Sequence, residues 1–240
     1  MRRIGILIPP ANVTCEREFP AAAPPGYSFH FTRLARTETT LSASSLLKMK
    51  ESAEEAAERL CPIEPVAIAY ACTSGSFLSG PNEHDEIADR VQKRTSVPTV
   101  TTASAVLAAL AVMGARSVGV VTPYPMDITA STTAFLEANG LRVAAVDTYN
   151  YHISRDVPNI PPESVAQRVT ALHEAYPNID AMFVSCTNVA TFPVIEILEE
   201  RLGVPVVTSN SATLWAVLRL AGYAEPLSGL GELGRTAKPT

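Results

Sequence analysis

Short, almost wholly apolar runs alternate with longer segments of helical periodicity along this chain. "RIGILIP" and "YSFHFTRLA" predict the first two strands, because such runs are rich in β-branched and aromatic residues and too short for helices. "SASSLLKMKESAEEAAERL" predicts one helix that starts at a serine. "PVAIAYA" is a strand, and "NEHDEIADRVQKRT" is a helix whose acids come early, where the helix dipole favours them. "VPTV" is a short strand; "SAVLAALAVMG" is a helix that stops at Gly114. The alternation then begins again. Strands "SVGVVTP", "LRVAAVDTY", "DAMFVS" and "VPVVTS" interleave with helices "DITASTTAFLEANG", "ESVAQRVTALHEAY", "ATFPVIEILEERLG" and "SATLWAVLRLAG". Strands that are apolar throughout need cover on both faces, so the pattern predicts an α/β fold built on mainly parallel sheet. The tail, "PLSGLGELGRTAKPT", has little periodicity, and disorder is expected there.

The second pass resembles the first. "IGILIP" is echoed by "VGVVTP", and "VPTVTTASAVLAAL" by "VPVVTSNSATLWAV". Gly5 and Gly119, Pro9 and Pro123, and Cys72 and Cys186 each stand 114 positions apart. Three landmarks at one offset indicate two α/β halves of similar fold. In each half the third strand ends in Cys-Thr, in "AYACTSGSF" and "VSCTNVATF". Ligands of parallel sheets bind beyond the carboxyl ends of the strands. If the halves face each other about a pseudo-twofold axis, the two thiols enter one cleft from opposite sides. The halves are expected as residues 1–106, joined by a C-terminal helical segment 208–240, and residues 107–207.

Composition narrows the partners. The 240 residues are 47% hydrophobic and 18% charged, enough for one large core or two small ones. The formal net charge of -5, without a basic cluster, argues against nucleic acid. No apolar run approaches the roughly 20 residues of a membrane span, and the start "MRRIGILIPPANVTCERE" lacks the apolar length of a signal peptide. A soluble cytoplasmic protein is expected. None of the four cysteines, Cys15, Cys61, Cys72 and Cys186, forms a C-x-x-C pair or has a histidine at ligand spacing. Zinc and disulfides are therefore not expected, and the cysteines should be free thiols. His30, His84, His152 and His173 form no motif; His84 and His173 fall in helical patterns and read as surface residues. Phosphate-binding and nucleophile-elbow signatures are absent.

A single cysteine after an apolar run is ordinarily a buried small hydrophobe. Its repetition favours chemistry. Thr73, Ser74, Gly75 and Ser76 follow Cys72; Thr187 and Asn188 follow Cys186. Such turns offer N–H groups and hydroxyls beside the positive end of a helix, a setting that favours a thiolate and binds a carboxylate. In "PPANVTCERE", Asn12 and Thr14 are either helix caps or carboxylate ligands. Tyr124 in "TPYPMD" is either a rim residue or a donor to a carboxylate or enolate. Ser209 and Asn210 in "TSNSATLW" are again caps or ligand contacts. Cys15 lies near the expected site; Cys61, at a helix end before Pro62, reads as structural.

Twin Cys-Thr strand ends in repeated α/β halves resemble the aspartate/glutamate racemase superfamily. In finer pattern, "PPANVTCERE", "YACTSGSFLSG", "VTPYP", "SCTNVATFPVIEILEERLGVPVVTSN" and the following "LW" resemble its branch containing maleate cis-trans isomerase, arylmalonate decarboxylase and ectoine-utilisation proteins. The resemblance runs from Ile4 to about Gly222. It implies two Rossmann-like halves with the active site between them, no cofactor and a homodimer. It places a carboxylate-binding Asn at Asn12, the two thiols at Cys72 and Cys186, and the tyrosine at Tyr124. Thr73, Ser74, Thr187 and Asn188, in the donor-rich turns after the thiols, are expected as further substrate-binding residues. The isomerase's other Asn maps into "HISRDVPNIPPES", where both Asp156 and Asn159 are candidates; an Asp there would repel a dicarboxylate. The decarboxylase has Gly in place of the first cysteine, so Cys72 favours isomerisation or racemisation. The leading expectation is maleate-to-fumarate isomerisation through a covalent thiol adduct. The alternatives are a racemase or epimerase of amino or hydroxy acids (or a related ectoine-utilisation or decarboxylase activity) using the thiols as acid and base, and a non-catalytic protein that binds a small carboxylate.

Overall fold

A computed structural model describes residues 1–36, 38–78, 80 and 83–236. The first pass of the pattern folds as β1 (Arg2–Ile8), α1 (Cys15–Ala21), β2 (Tyr27–Arg33), α2 (Ala43–Lys50), α3 (Ala53–Glu58), β3 (Ala67–Tyr70), α4 (Thr73–Phe77), α5 (Glu86–Thr95), β4 (Thr99–Thr101) and α6 (Thr102–Val112). The second gives β5 (Ser117–Thr122), α7 (Met126–Ala138), β6 (Arg142–Thr148), α8 (Pro162–Ala175), β7 (Ala181–Val184), α9 (Ile195–Leu202), β8 (Val206–Thr208) and α10 (Ser209–Leu220), and α11 (Gly231–Arg235) follows.

Each pass builds one parallel four-stranded sheet, in the orders β2-β1-β3-β4 and β6-β5-β7-β8. The register repeats too: Leu7 pairs with Tyr70, and Val121 with Val184. The glycine of each repeat lets its first strand pack closely. A Cβ on Gly5 would stand 2.9 Å from Leu60 Cδ1, and one on Gly119 2.8 Å from Met182 Sδ. In both sheets the direction of crossover reverses at the central strand pair, β1/β3 or β5/β7. Each reversal leaves a crevice beyond the carboxyl ends of those strands.

Helices α6 and α10 hold the sheets together. Helix α10 packs on α6, β3, β4 and β8, and α6 on β4 and β8. One apolar cluster therefore runs through both halves, with Ile4 and Ile6 from β1, Val118 and Val120 from β5, and Ala109, Trp215 and Leu218 from the two helices. Burying each large side chain contributes roughly 1.5–3 kcal/mol. The repeated "VPTVTTAS" and "VPVVTSNS" encode the same start for these helices. Thr101 Oγ1 accepts from Ser104 N at 3.2 Å, and Thr208 Oγ1 from Ser211 N at 3.0 Å.

Several expectations need correction. The single helix expected from "SASSLLKMKESAEEAAERL" is two, α2 and α3. The Ser52 hydroxyl donates to Met49 O at 2.8 Å and accepts from Ala35 N at 2.9 Å, and these bonds draw the backbone out of the helix. Helices α1 and α4 are too short to show apolar periodicity. The tail is folded as far as residue 236: α11 and its approach bury Leu227, Leu230 and Leu233. Its last four residues, 237–240, lie outside the described residues, as do Ser79 of "YACTSGSFLSG" and Asn82 of the helix expected from "NEHDEIADRVQKRT". His84 precedes α5 and packs edge-on against Phe135 at 5.7 Å between ring centroids, and His173 is half-buried. Among the described residues no helix is long and apolar enough to cross a membrane.

Candidate active site

The two crevices open into one cleft with about 410 Å³ of empty space, its mouth included. Loops after β1, β3, β5 and β7 bring Asn12, Cys72, Tyr124 and Cys186 to its wall, together with Thr73, Ser74, Thr187 and Asn188. Both thiols are thus in one cavity, each from the central strand pair of its own sheet.

Cys72 is the N-cap of α4 and only 4% exposed. Within the short helix the Gly75 N–H and the Ser74 hydroxyl both favour the thiolate. Gly75 is required there: a Cβ would lie 2.9 Å from Cys72 Sγ and 2.8 Å from Tyr70 Oη. Cys186 sits at φ 99, where a non-glycine residue is strained, and its own turn brings Asn188 N within 3.4 Å of Sγ. Ser209 at the start of α10 joins the two junctions. Its Oγ accepts from Thr73 Oγ1 at 2.8 Å and from Cys186 N at 2.9 Å.

Burial outweighs these donors. It pushes the Cys72 thiol up to about 11 and the Cys186 thiol up to about 12. Burial of the two sulfurs thus opposes the thiolate that the turns favour, and it is the larger of the two effects. The Tyr124 hydroxyl, also raised by burial, is a neutral donor, and Ser185 Oγ donates to it at 3.3 Å.

Asn12 and Asn188 tie the halves together across the cleft. Asn12 Nδ2 donates to Thr187 Oγ1 at 3.0 Å, and Thr187 Oγ1 donates to Ala71 O at 2.9 Å. Asn188 Oδ1 accepts from Val13 N at 3.0 Å, and its Nδ2 donates to Ala11 O at 3.0 Å. Thr14 does not line the cleft; its hydroxyl donates to Asn188 O at 2.9 Å. Ser209 and Asn210 also lie behind the wall. Asn210 Nδ2 donates to Glu18 Oε2 at 2.5 Å and Asn210 Oδ1 accepts from Cys15 Sγ at 3.5 Å. Glu18 in turn takes the N–H groups of Thr191 and Phe192, at 2.6 and 2.9 Å, and so anchors the segment after Cys186. Cys15 is wholly buried and held well above the ordinary thiol range by that burial. Neither Asp156 nor Asn159 reaches the cleft. That stretch contributes Ser154 and Val157 instead, because the short helical turn Val157–Asn159 directs Val157 inward.

Two polar cleft residues were missed in the sequence, Arg36 after β2 and Ser154 after β6. Both obey the strand-end rule that located the cysteines, but neither stands in a repeated motif.

Fold and cleft define a class of twofold-repeated α/β protein that holds one thiol from each half in a shared cavity. The chain belongs to the arylmalonate decarboxylase family, whose model matches residues 4–234. A maleate isomerase of Nocardia farcinica (strain IFM 10152) is 29% identical, over 98% of this chain and 96% of its own. A solved structure of Nocardia farcinica maleate cis-trans isomerase, a Cys-to-Ser mutant with a covalently bound succinylcysteine intermediate, matches with a TM-score of 0.89 at 28% identity and covers 98% of both chains. An arylmalonate decarboxylase of Bordetella bronchiseptica is 29% identical over 76% of this chain and 77% of its own.

Proposed function

We propose that this chain is a cysteine-dependent isomerase that converts maleate to fumarate through a covalent thiol adduct. The observation that carries the proposal is the placement of Cys72 and Cys186, one from each half, on the wall of one small cleft. The relative with a succinylcysteine intermediate supports the same chemistry.

Cys72 is the nucleophile in this reading: the Gly75 N–H, the Ser74 hydroxyl and the Arg36 charge all favour its thiolate, and no cation stands among the partners of Cys186. Its proton is first lost to solvent, and the Sγ thiolate then bonds to one olefinic carbon. The π pair moves onto the adjacent carbon and its carboxylate, where Tyr124 and the N–H groups of the cysteine turns face the growing charge. Cys186 delivers its proton to that carbon, giving a succinyl thioether. Rotation about the new single bond brings the carboxylates apart. The Cys186 thiolate takes the proton back, the π bond re-forms, and Cys72 leaves as thiolate. Atoms and charge balance over the cycle. Asn12 and Asn188 offer neutral donors to one carboxylate, and rotation carries the two ends of the molecule apart.

Proton NMR of the enzyme with maleate tests the proposal. A growing fumarate signal, abolished in Cys72→Ala and in Cys186→Ala, is expected. Unchanged maleate with the unmodified enzyme would refute maleate as substrate.

A further inference from the structure

Of the described side chains lining the cleft, Arg36 alone carries a charge. It lies on the segment after β2, which runs along the segment after β6 as a strap over the cleft. Leu41 N donates to His152 O at 2.8 Å, Ser154 N to Thr39 O at 2.8 Å, and Thr40 and Ile153 form an antiparallel bridge. The strap fixes the guanidinium. Arg36 Nε donates to Glu38 O at 2.7 Å, and Nη2 donates to Thr40 O and Ser154 Oγ, both at 3.2 Å.

All those acceptors are neutral. Among the described residues no carboxylate pairs with Arg36, and Nη1 makes no hydrogen bond. Glu38 pairs with Lys48 at 3.7 Å. A guanidinium is costly to take out of water unless an anion meets it. Here burial opposes its charge, while the Cys72 sulfur and, more weakly, the Glu38 carboxylate lie near enough to favour it. A cation held in place, partly desolvated and with no carboxylate in contact among the described residues is the arrangement of a site for an anion. A carboxylate is the natural ligand of a guanidinium edge.

The geometry points to Arg36 as the residue that binds the second carboxylate of the substrate and so selects dicarboxylates over monocarboxylates. This rests on the isomerase reading for its substrate, but dicarboxylate binding can be measured without turnover. In the proposed cycle Asn12 and Asn188 are neutral donors, and neither distinguishes a dianion from a monoanion. Arg36 supplies that distinction. It stands on the Cys72 side, so the carboxylate beside the attacked carbon is the one it holds.

The test compares Arg36→Gln and Arg36→Lys with the unmodified chain, using maleate and its monoamide, which has the same double bond and one carboxylate fewer. Arg36→Gln should lower the ratio of kcat/KM for maleate to that for the monoamide by about 10- to 100-fold, the range for a charge-assisted hydrogen bond. Any effect on the Cys72 thiol acts on both substrates and cancels in the ratio. Arg36→Lys should restore part of the ratio, because it keeps the charge and loses the fork. A ratio within about twofold of the unmodified enzyme would overturn the assignment. Calorimetry with succinate and propionate separates this from a failure of the isomerase reading. If maleate is not turned over, succinate should still bind the unmodified chain and lose about 10- to 100-fold in Arg36→Gln, with propionate unaffected. Equal succinate binding by both, or none by the unmodified chain, would overturn the proposal.

Discussion

The Cys72 and Cys186 junctions occupy equivalent places in two sheets of the same order and register, yet the chain leaves them differently. Cys72 is extended, at φ -144 and ψ 105, and α4 begins at the next residue. Cys186 takes φ 99, and α9 begins only at Ile195. At the repeat offset from Gly75 stands Val189, a fully buried core residue. In the first half a Cβ at that point would strike the sulfur; in the second the turn has carried the chain away and a large side chain is needed to fill the core. The consequence is chemical. Cys72 receives the Gly75 N–H, the Ser74 hydroxyl and the field of Arg36, while Cys186 receives N–H groups of Asn188 and Val189 and the Tyr124 hydroxyl, with no cation among its partners. Duplication supplies two thiols; divergence of the turns surrounds them with different groups, and the proposed division into nucleophile and proton donor follows that difference.

The largest test of that division removes each thiol in turn. Cys72→Ala and Cys186→Ala should each reduce turnover by about 10⁴-fold or more, because nucleophile and acid act as a unit. They should differ in what accumulates. Intact-protein mass spectrometry after incubation with maleate should find an adduct on Cys186→Ala and none on Cys72→Ala. An adduct on Cys72→Ala alone would reverse the assignment.

Titration sharpens the comparison next. In Cys186→Ala protein, alkylation of Cys72 by iodoacetamide should rise about tenfold per pH unit from neutral pH toward its value of about 11. In Cys72→Ala, Cys186 should react more slowly than Cys72 does at the same near-neutral pH, because burial raises its thiol further and no cation favours its thiolate. Peptide mapping of the alkylated cysteine checks both rates. The sign for stability follows. Each folded value lies above the ordinary thiol value of about 9, so between about 9 and 11 the unfolded chain has lost protons that the folded chain keeps. Stability must fall as pH rises through that window, and it should fall less steeply in either alanine variant.

Much of this architecture was legible from spacing alone. A common offset for Gly5, Pro9 and Cys72 is a three-dimensional statement, since only a repeated fold keeps a packing glycine, a strand-end proline and a strand-end thiol in step. The strand-end rule then placed Asn12, Tyr124 and both cysteines on one wall. It did not disclose Arg36, because the loop after β2 has no counterpart motif and its position depends on pairing with a segment more than a hundred residues away. Nor did it disclose the state of the thiols. Local donors are readable in "CTSGS"; the closure of the cleft above them is a tertiary property, and here it dominates. Asp156 was a plausible ligand by position, and one short helical turn exchanged it for Val157.

Ser209 offers a smaller test, of the coupling between the junctions. Its hydroxyl accepts from the Thr73 hydroxyl and the Cys186 N–H in a fully buried setting. Ser209→Ala leaves both donors without a partner and should cost about 1–3 kcal/mol in urea unfolding. It should also lower kcat more than it raises KM, because Ser209 supports the thiols and does not line the cleft. Thr73→Val removes one donor along with its need and should cost less than Ser209→Ala. The opposite order would mean that the serine is not the shared acceptor.

The smallest effect discriminates most directly between the two turns. Alanine and glycine can replace each cysteine, and all four variants lack a thiol, so only the backbone distinguishes each pair. At position 72 the extended conformation suits any residue, and glycine pays extra chain entropy on folding; Cys72→Ala should be more stable than Cys72→Gly by about 0.5–1 kcal/mol. At position 186 the positive φ reverses the preference. A Cβ there carries strain of order 1–3 kcal/mol, which outweighs the entropy, so Cys186→Gly should be more stable than Cys186→Ala by about 1 kcal/mol. Thermal unfolding of the four proteins reads the sign at each site. The same sign at both would mean that the second turn is relaxed and that its difference from the first lies in side chains alone. Opposite signs would locate the asymmetry of the active site in the main chain, where a strained Cys186 holds its sulfur against Asn188 N at the cost of stability.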